Sequence, residues 1–143
     1  MIGPGTGIAP FRSFIAERDA TGASGKNWLF FGEQHFISDF LYQSEIQNWF
    51  DTGVLTKVCT AFSRDQDETI YVQHKMMQHG TEFFECLQTG AYVYVCGTKD
   101  PMSIDVEKTI IDIIEKFGER SPEDAVKYLD EMKEDGRYVT DVY

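Results

Sequence analysis

The chain has 143 residues, 42% hydrophobic and 14% aromatic, enough to bury a core and within the range of one domain. Thirteen Lys and Arg against 24 Asp and Glu give a net charge of −11, which repels phosphate backbones and argues against nucleic-acid partners, though local cations and amides can still hold a small phosphate-bearing ligand. No apolar run approaches the roughly 20 residues that span a bilayer, residues 1–5 resemble no signal peptide, and three cysteines without CxxC spacing argue against a disulfide framework or zinc site; no membrane partner and a cytoplasmic location are expected.

Only Met1 and Ile2 precede Gly3, where a glycine-rich phosphate loop normally follows a whole strand. The first strand therefore reads as truncated and the chain as a piece of a larger protein. After the loop, Ile8, Phe11, Phe14 and Ile15 recur at helical spacing, with Pro10 tolerated in the first turn. Trp28-Leu29-Phe30-Phe31-Gly32 is a short apolar run, as expected for a strand buried on both faces. Ser38 is the expected cap of a helix with Leu41, Ile46, Trp49 and Phe50 on its inner face. Val54 to Phe62 reads as a strand that closes at Ser63-Arg64-Asp65.

Val72 to Gln88 reads as one or two helices broken near Gly80, and Ala91 to Cys96 as the clearest strand, halted by Gly97. Met102 to Phe117 follows as a helix with Val106, Ile110, Ile113 and Ile114 on its buried stripe. Ser121-Pro122-Glu123-Asp124 combines a capping serine, a proline at the first helical position and acids against the dipole. That helix stops at Gly136, and residues 137–143 are β-prone. Alternating strands and helices predict an α/β layered sheet in one domain, residues 1–143.

Gly3-Pro4-Gly5-Thr6-Gly7, placed between a strand remnant and a helix, suits a pyrophosphate: glycines let backbone amides approach and the helix N-terminus adds positive potential. A plain tight turn accounts for the same glycines. The third glycine comes too early for GxGxxG; a true Rossmann reading would instead use Glu33 to hold the adenosine ribose.

The extended run Gly3 to Arg12, with Phe62-Ser63-Arg64-Asp65-Gln66, Tyr71-Val72-Gln73 and Tyr94-Val95-Cys96-Gly97, resembles the ferredoxin–NADP reductase superfamily, diflavin reductase branch. Residues 31–36 and 39–43, with Arg137-Tyr138 and Asp141-Val142-Tyr143, draw it towards the sulfite-reductase type. The resemblance covers essentially the whole chain. It implies a three-layer α/β/α, Rossmann-like domain on a parallel, roughly five-stranded sheet, binding NADP(H) across the strands' C-terminal ends. It further implies hydride transfer from NADPH to FAD, then electron transfer through FMN to a haem or iron–sulfur acceptor protein. FAD and FMN would be bound mainly by domains outside this chain, with the FAD-binding domain a partner in cis or in trans.

By the same resemblance, Gly5, Thr6 and Gly7 take the pyrophosphate. Ser63 and Arg64 take the adenosine 2′-phosphate, by hydroxyl donation and a planar guanidinium fork. Tyr71 and Gln73 fall on the adenosine side, while Gly97 and Met102 belong to a nucleotide-contacting loop. Cys96 would lie beside the nicotinamide and Asp141 would steady the developing nicotinamide cation. Tyr143 would stack on the flavin as a gate. Read from residue type alone, each has a plainer account: Ser63 and Arg64 as a surface turn, Tyr71 as a strand end, Cys96 as buried packing, Tyr143 as sheet packing.

One departure stands out. Thr69 occupies the position where the family carries a second cation for the phosphate, which predicts weaker discrimination of NADPH from NADH. Two other functions remain open from sequence: a free-standing nucleotide-binding subunit that borrows its FAD domain, and a regulatory module without electron transfer.

Overall fold

All 143 residues are described by the computed structural model, in two compact units, Met1–Val72 and Gln73–Tyr143. In the first unit, β1 (Trp28–Glu33) and β2 (Lys57–Phe62) pair in parallel, from Trp28 opposite Lys57 to Glu33 opposite Phe62. Ile2 adds a single parallel bridge to Phe30 on the other side of β1. Residues 29–32 are all buried, as the continuous apolar run predicts. The chain enters the unit through a 3-10 turn, Gly5–Ile8, which runs into α1 (Ala9–Thr21) with Pro10 in its first turn. α1 buries Phe11 and Ile15, but Phe14 is largely exposed, so its apolar stripe is narrower than the spacing suggests.

The helix expected from Ser38 to Phe50 is split. A single turn, α2 (Phe36–Asp39), ends where Phe40 turns inward and stacks on Phe31 at 5.1 Å, beside Phe62 at 5.5 Å. Tyr42 then adopts a left-handed backbone (φ 56°), and α3 (Gln43–Asp51) starts afresh. Ile46 and Trp49 face the core; Leu41 and Phe50 do not, and Ser38 lies inside α2 rather than capping a helix. Packing of one aromatic ring has overridden helical continuity.

β2 also begins three residues later than its apolar pattern indicates. Buried Asn27 claims the intervening backbone: its Nδ2 donates to the Val54 carbonyl at 3.0 Å and its own carbonyl accepts from Thr56 N at 2.8 Å. The Val54 carbonyl is thus satisfied by a side chain and the Thr56 amide by the Asn27 backbone, instead of by a ladder.

In the second unit, β3 (Val93–Gly97) pairs in parallel with β4 (Tyr138–Val142). The expected helix break separates α4 (Val72–Gln78) from α5 (Gly80–Gln88). A Cβ at Gly80 would meet the Phe117 ring, so only glycine lets α5 come this close. α6 (Ile104–Gly118) contributes Val106, Ile110, Ile113 and Ile114, all fully buried; each such side chain contributes about 1.5–3 kcal/mol. It starts two residues later than expected because Lys99–Ser103 form a kinked turn, with Asp100 in extended backbone (φ −127°, ψ 127°). α7 (Pro122–Glu134) is capped by Ser121, whose Oγ accepts from Asp124 N at 3.1 Å, and is followed by Gly136 in the left-handed region.

Arg137 closes this unit from the chain's end. Its guanidinium donates to the carbonyls of Leu87 (2.7 Å), in the last turn of α5, and Ala91 (3.1 Å), in the loop before β3. The α/β class with parallel strands is thus present in both units, each with one two-stranded ladder.

Candidate functional site

Ile2, β1 and β2 all run in the same direction, so their C-terminal ends and the loops that follow share one edge of the first unit. Open α/β sheets bind ligands at that edge. Gly3 N donates to the Phe30 carbonyl at 3.0 Å, and the chain then turns through Gly5, whose φ of 58° favours glycine. Gly7 N closes the turn on the Pro4 carbonyl at 3.1 Å. A Cβ on Gly3 would lie 2.6 Å from the Gly7 carbonyl oxygen, so the loop folds on itself too tightly for any side chain there. Pro4, at the N-cap, supplies no side-chain acceptor for the first amides, and Thr6 is exposed on the turn. The glycine run read from the sequence thus folds as a tight turn at this edge.

Glu33 ends β1 next to this loop: its Oε2 accepts from Gln34 N at 3.0 Å, and Oε1 lies 3.2 Å from where a Gly5 Cβ would be. β2 continues into Ser63 and Arg64, whose amides donate to the carbonyls of Glu33 (2.8 Å) and Gln34 (3.0 Å). The Ser63 hydroxyl makes a long contact to the Glu33 carbonyl, 3.4 Å. The exposed Arg64 guanidinium has no hydrogen-bond or ion-pair partner in the protein. Its neighbour Asp65 is engaged elsewhere, accepting from Phe36 N at 2.7 Å and from His35 Nδ1 at 2.8 Å. Those two donors, the amide first, hold the Asp65 carboxyl below the usual carboxylate range. Nothing in the residue pattern signals this tie, which joins His35 and Asp65, 30 positions apart. Tyr71, half-exposed at 50%, closes the same unit just before α4.

Arg12 and Tyr42 occupy the outer surface of this unit. The Arg12 guanidinium lies over the Tyr42 ring, 4.5 Å from its centroid, and forms a two-pronged bond with Glu45. Asp39 accepts from His35 N at 3.0 Å, so it sets the loop before α2.

In the second unit, the ladder register places Cys96 opposite Asp141 and Gly97 opposite Val142. Cys96 is buried and Asp141 exposed. Burial, with a smaller contribution from the Asp141 charge, pushes the Cys96 thiol above its ordinary pKa. It is therefore a neutral thiol at pH 7, not an activated nucleophile. Tyr143 N donates to the Gly97 carbonyl at 3.1 Å, and Lys99 N to the Tyr143 carbonyl at 2.9 Å, which brings Cys96, Gly97, Asp141 and Tyr143 to one end of one ladder. Gly97 has a φ of 139°, strained for any other residue. Met102 is half-buried in the kinked turn before α6, and Gln73 Nε2 makes a long contact to Asp105, 3.5 Å.

A glycine cradle, an unpartnered arginine at the neighbouring strand end and a parallel α/β scaffold define a nucleotide-binding class of domain. The chain belongs to the oxidoreductase NAD-binding domain family, whose model matches residues 1–108, from the glycine loop through β3 into α6.

More particularly, it is 58% identical over all 143 residues to the sulfite reductase (NADPH) flavoprotein alpha-component of Bacillus subtilis. Proteins of the same description from Cronobacter sakazakii and Aliivibrio fischeri are 52% and 49% identical over the same length. The chain spans 24% of the length of each of these relatives. No helix is long and apolar enough to cross a membrane.

Proposed function

We propose that this chain is the NADP(H)-binding module of a flavoprotein reductase of the sulfite-reductase type. The observation that carries the reading is the pairing of Cys96 with Asp141 at a strand end, in a chain alignable along its whole length with proteins described as NADPH flavoproteins. When bound, NADPH supplies a hydride to FAD, whose electrons pass through FMN to a haem or iron–sulfur acceptor protein. FAD and FMN are assigned to other domains, an FAD-binding domain being the partner in cis or in trans. The roughly five-stranded parallel sheet belongs to the same proposal, supported by the parallel pairing found in each unit.

The chain's own residues bind and orient. The Gly5–Thr6–Gly7 turn holds the pyrophosphate, the amides of Gly5 and Thr6 facing it and Gly7 shaping the turn through its bond to the Pro4 carbonyl, with the 3-10 turn and α1 behind them adding positive potential. Ser63 and Arg64 hold the 2′-phosphate, the latter with a guanidinium that no protein acceptor occupies. Tyr71 and Gln73 flank the adenosine, while Gly97 and Met102 shape the loop at the nicotinamide end. The neutral Cys96 thiol positions the ring, and the Asp141 carboxylate stabilises positive charge as it develops there. Tyr143 covers the flavin until the nicotinamide takes its place.

Titration of NADP⁺ and NAD⁺ into the wild type and Arg64→Ala tests the reading. Loss of a charge-assisted contact lowers NADP⁺ affinity by about 10- to 150-fold, equivalent to roughly 1.5–3 kcal/mol, and leaves NAD⁺ unchanged. Equal NADP⁺ affinity in both proteins would refute it. With Thr69 in place of a second cation, the wild type should prefer NADP⁺ to NAD⁺ by less than about a thousandfold.

A further inference from the structure

Beyond the last rung of the β1–β2 ladder, the two loops stay joined. Ser63 and Arg64 donate their amides to the carbonyls of Glu33 and Gln34, and at the next position a side chain takes over from the backbone. Both Asp65 oxygens are used, Oδ2 by the Phe36 amide at 2.7 Å and Oδ1 by His35 Nδ1 at 2.8 Å. From the other side, Gln66 Nε2 donates to the carbonyls of Phe62 (2.7 Å) and Glu68 (2.8 Å), closing the turn on itself. Ser63 and Arg64 are therefore fixed on both flanks, although the turn is exposed.

An ionised aspartate next to an exposed arginine is the arginine's most available partner. Here the aspartate is occupied by two other donors, and the guanidinium stays without an acceptor. We propose that Asp65 is a positioning residue for selectivity towards a ribose 2′-phosphate: by binding His35 and Phe36 it fixes the Ser63–Arg64 turn and keeps its own charge from neutralising Arg64. The inference rests on the assignment of Ser63 and Arg64 to that phosphate.

Simple electrostatics makes the opposite forecast. Removing a negative charge beside an anion site strengthens anion binding if charge is all that matters. Positioning requires the reverse, because a freed turn must be ordered again each time the phosphate binds.

The test is calorimetric titration of 2′,5′-ADP and 5′-AMP into the wild type, Asp65→Ala, Asp65→Asn, His35→Ala, Arg64→Ala and the Asp65→Ala/Arg64→Ala double variant. Asp65→Ala should weaken 2′,5′-ADP binding by about three- to tenfold and leave 5′-AMP within about twofold. Asp65→Asn, which keeps an acceptor for the Phe36 amide, should recover part of the loss. In the Arg64→Ala background the Asp65 substitution should cost less than in the wild type, since only the Ser63 contact is left to position. His35→Ala removes one of the two ties and should produce a smaller loss in the same direction, which keeps the proposal testable if Asp65→Ala fails to fold. Unchanged or tighter 2′,5′-ADP binding by Asp65→Ala, or by His35→Ala in its place, overturns the inference while Arg64→Ala still shows its loss. If Arg64→Ala has no effect on 2′,5′-ADP, the phosphate assignment and the inference fail together.

Discussion

Replacing Gly3 by alanine probes the cradle without touching a ligand-binding side chain. A Cβ there would stand 2.6 Å from the Gly7 carbonyl oxygen, 2.8 Å from the Gly7 carbonyl carbon and 2.7 Å from the buried Phe11 ring. Ordinary contact begins near 3.4 Å, so the turn must open by at least 3.4 − 2.6 = 0.8 Å. Two of the three obstacles are backbone atoms, and the ring is held in the core, so the strain has no flexible outlet. Overpacking of this kind costs about 1–3 kcal/mol. Reduced freedom of the unfolded chain offsets about 0.4–1 kcal/mol of that. The expected net loss is about 1–2 kcal/mol, or a fall in Tm of about 3–8 °C. Moving the amides of Gly5 to Gly7 by 0.8 Å also exceeds the roughly 0.5 Å spread of good hydrogen-bond lengths. NADP⁺ affinity should then fall about tenfold, the loss of one charge-assisted bond. Thermal melts and nucleotide titration on the same samples supply both readings. A variant that melts with the wild type and binds NADP⁺ equally well would show that the loop is only a turn.

Gly80→Ala should destabilise by about 1 kcal/mol, because overlap with the Phe117 ring outweighs the roughly 1 kcal/mol that alanine gains in a helix. Urea unfolding should show the sign reversing in a Phe117→Leu background, and a stabilised single variant would contradict the packing argument. Ser121→Ala removes the cap of α7 and should cost about 1 kcal/mol in the same assay; no change in the midpoint would deny the cap its role. In timed iodoacetamide labelling at pH 8, half-buried Cys86 should react before Cys96, whose burial and nearby Asp141 both suppress the thiolate. Peptide mapping that finds Cys96 modified first would reverse this assignment.

The elements best anticipated from sequence are those whose apolar pattern coincides with burial. Residues 29–32 and Val93, Val95 and Cys96 are continuous or alternating apolar runs and are buried as such. Ser121 and Gly136 mark the ends of α7 through local chemistry that needs no tertiary partner. The misjudged stretches are those where a distant group decides. Phe40 leaves its helix for Phe31 and Phe62, and residues 54–56 are held by Asn27, about 27 positions earlier. The site divides similarly. Glycines and a strand-end arginine are visible as types, whereas the tie from Asp65 to His35 and Phe36 depends on which loops adjoin, and spacing along the chain carries no record of that.

At the chain's last residue, main chain and side chain have separate duties. Two backbone hydrogen bonds, to Gly97 and from Lys99, anchor Tyr143, yet its side chain is part of a residue 67% exposed to solvent. Rotation of the side chain about χ1 leaves both of these main-chain bonds in place. In the gating role proposed for it, Tyr143 would yield to an incoming ring by side-chain rotation, with the peptide framework beneath it at rest.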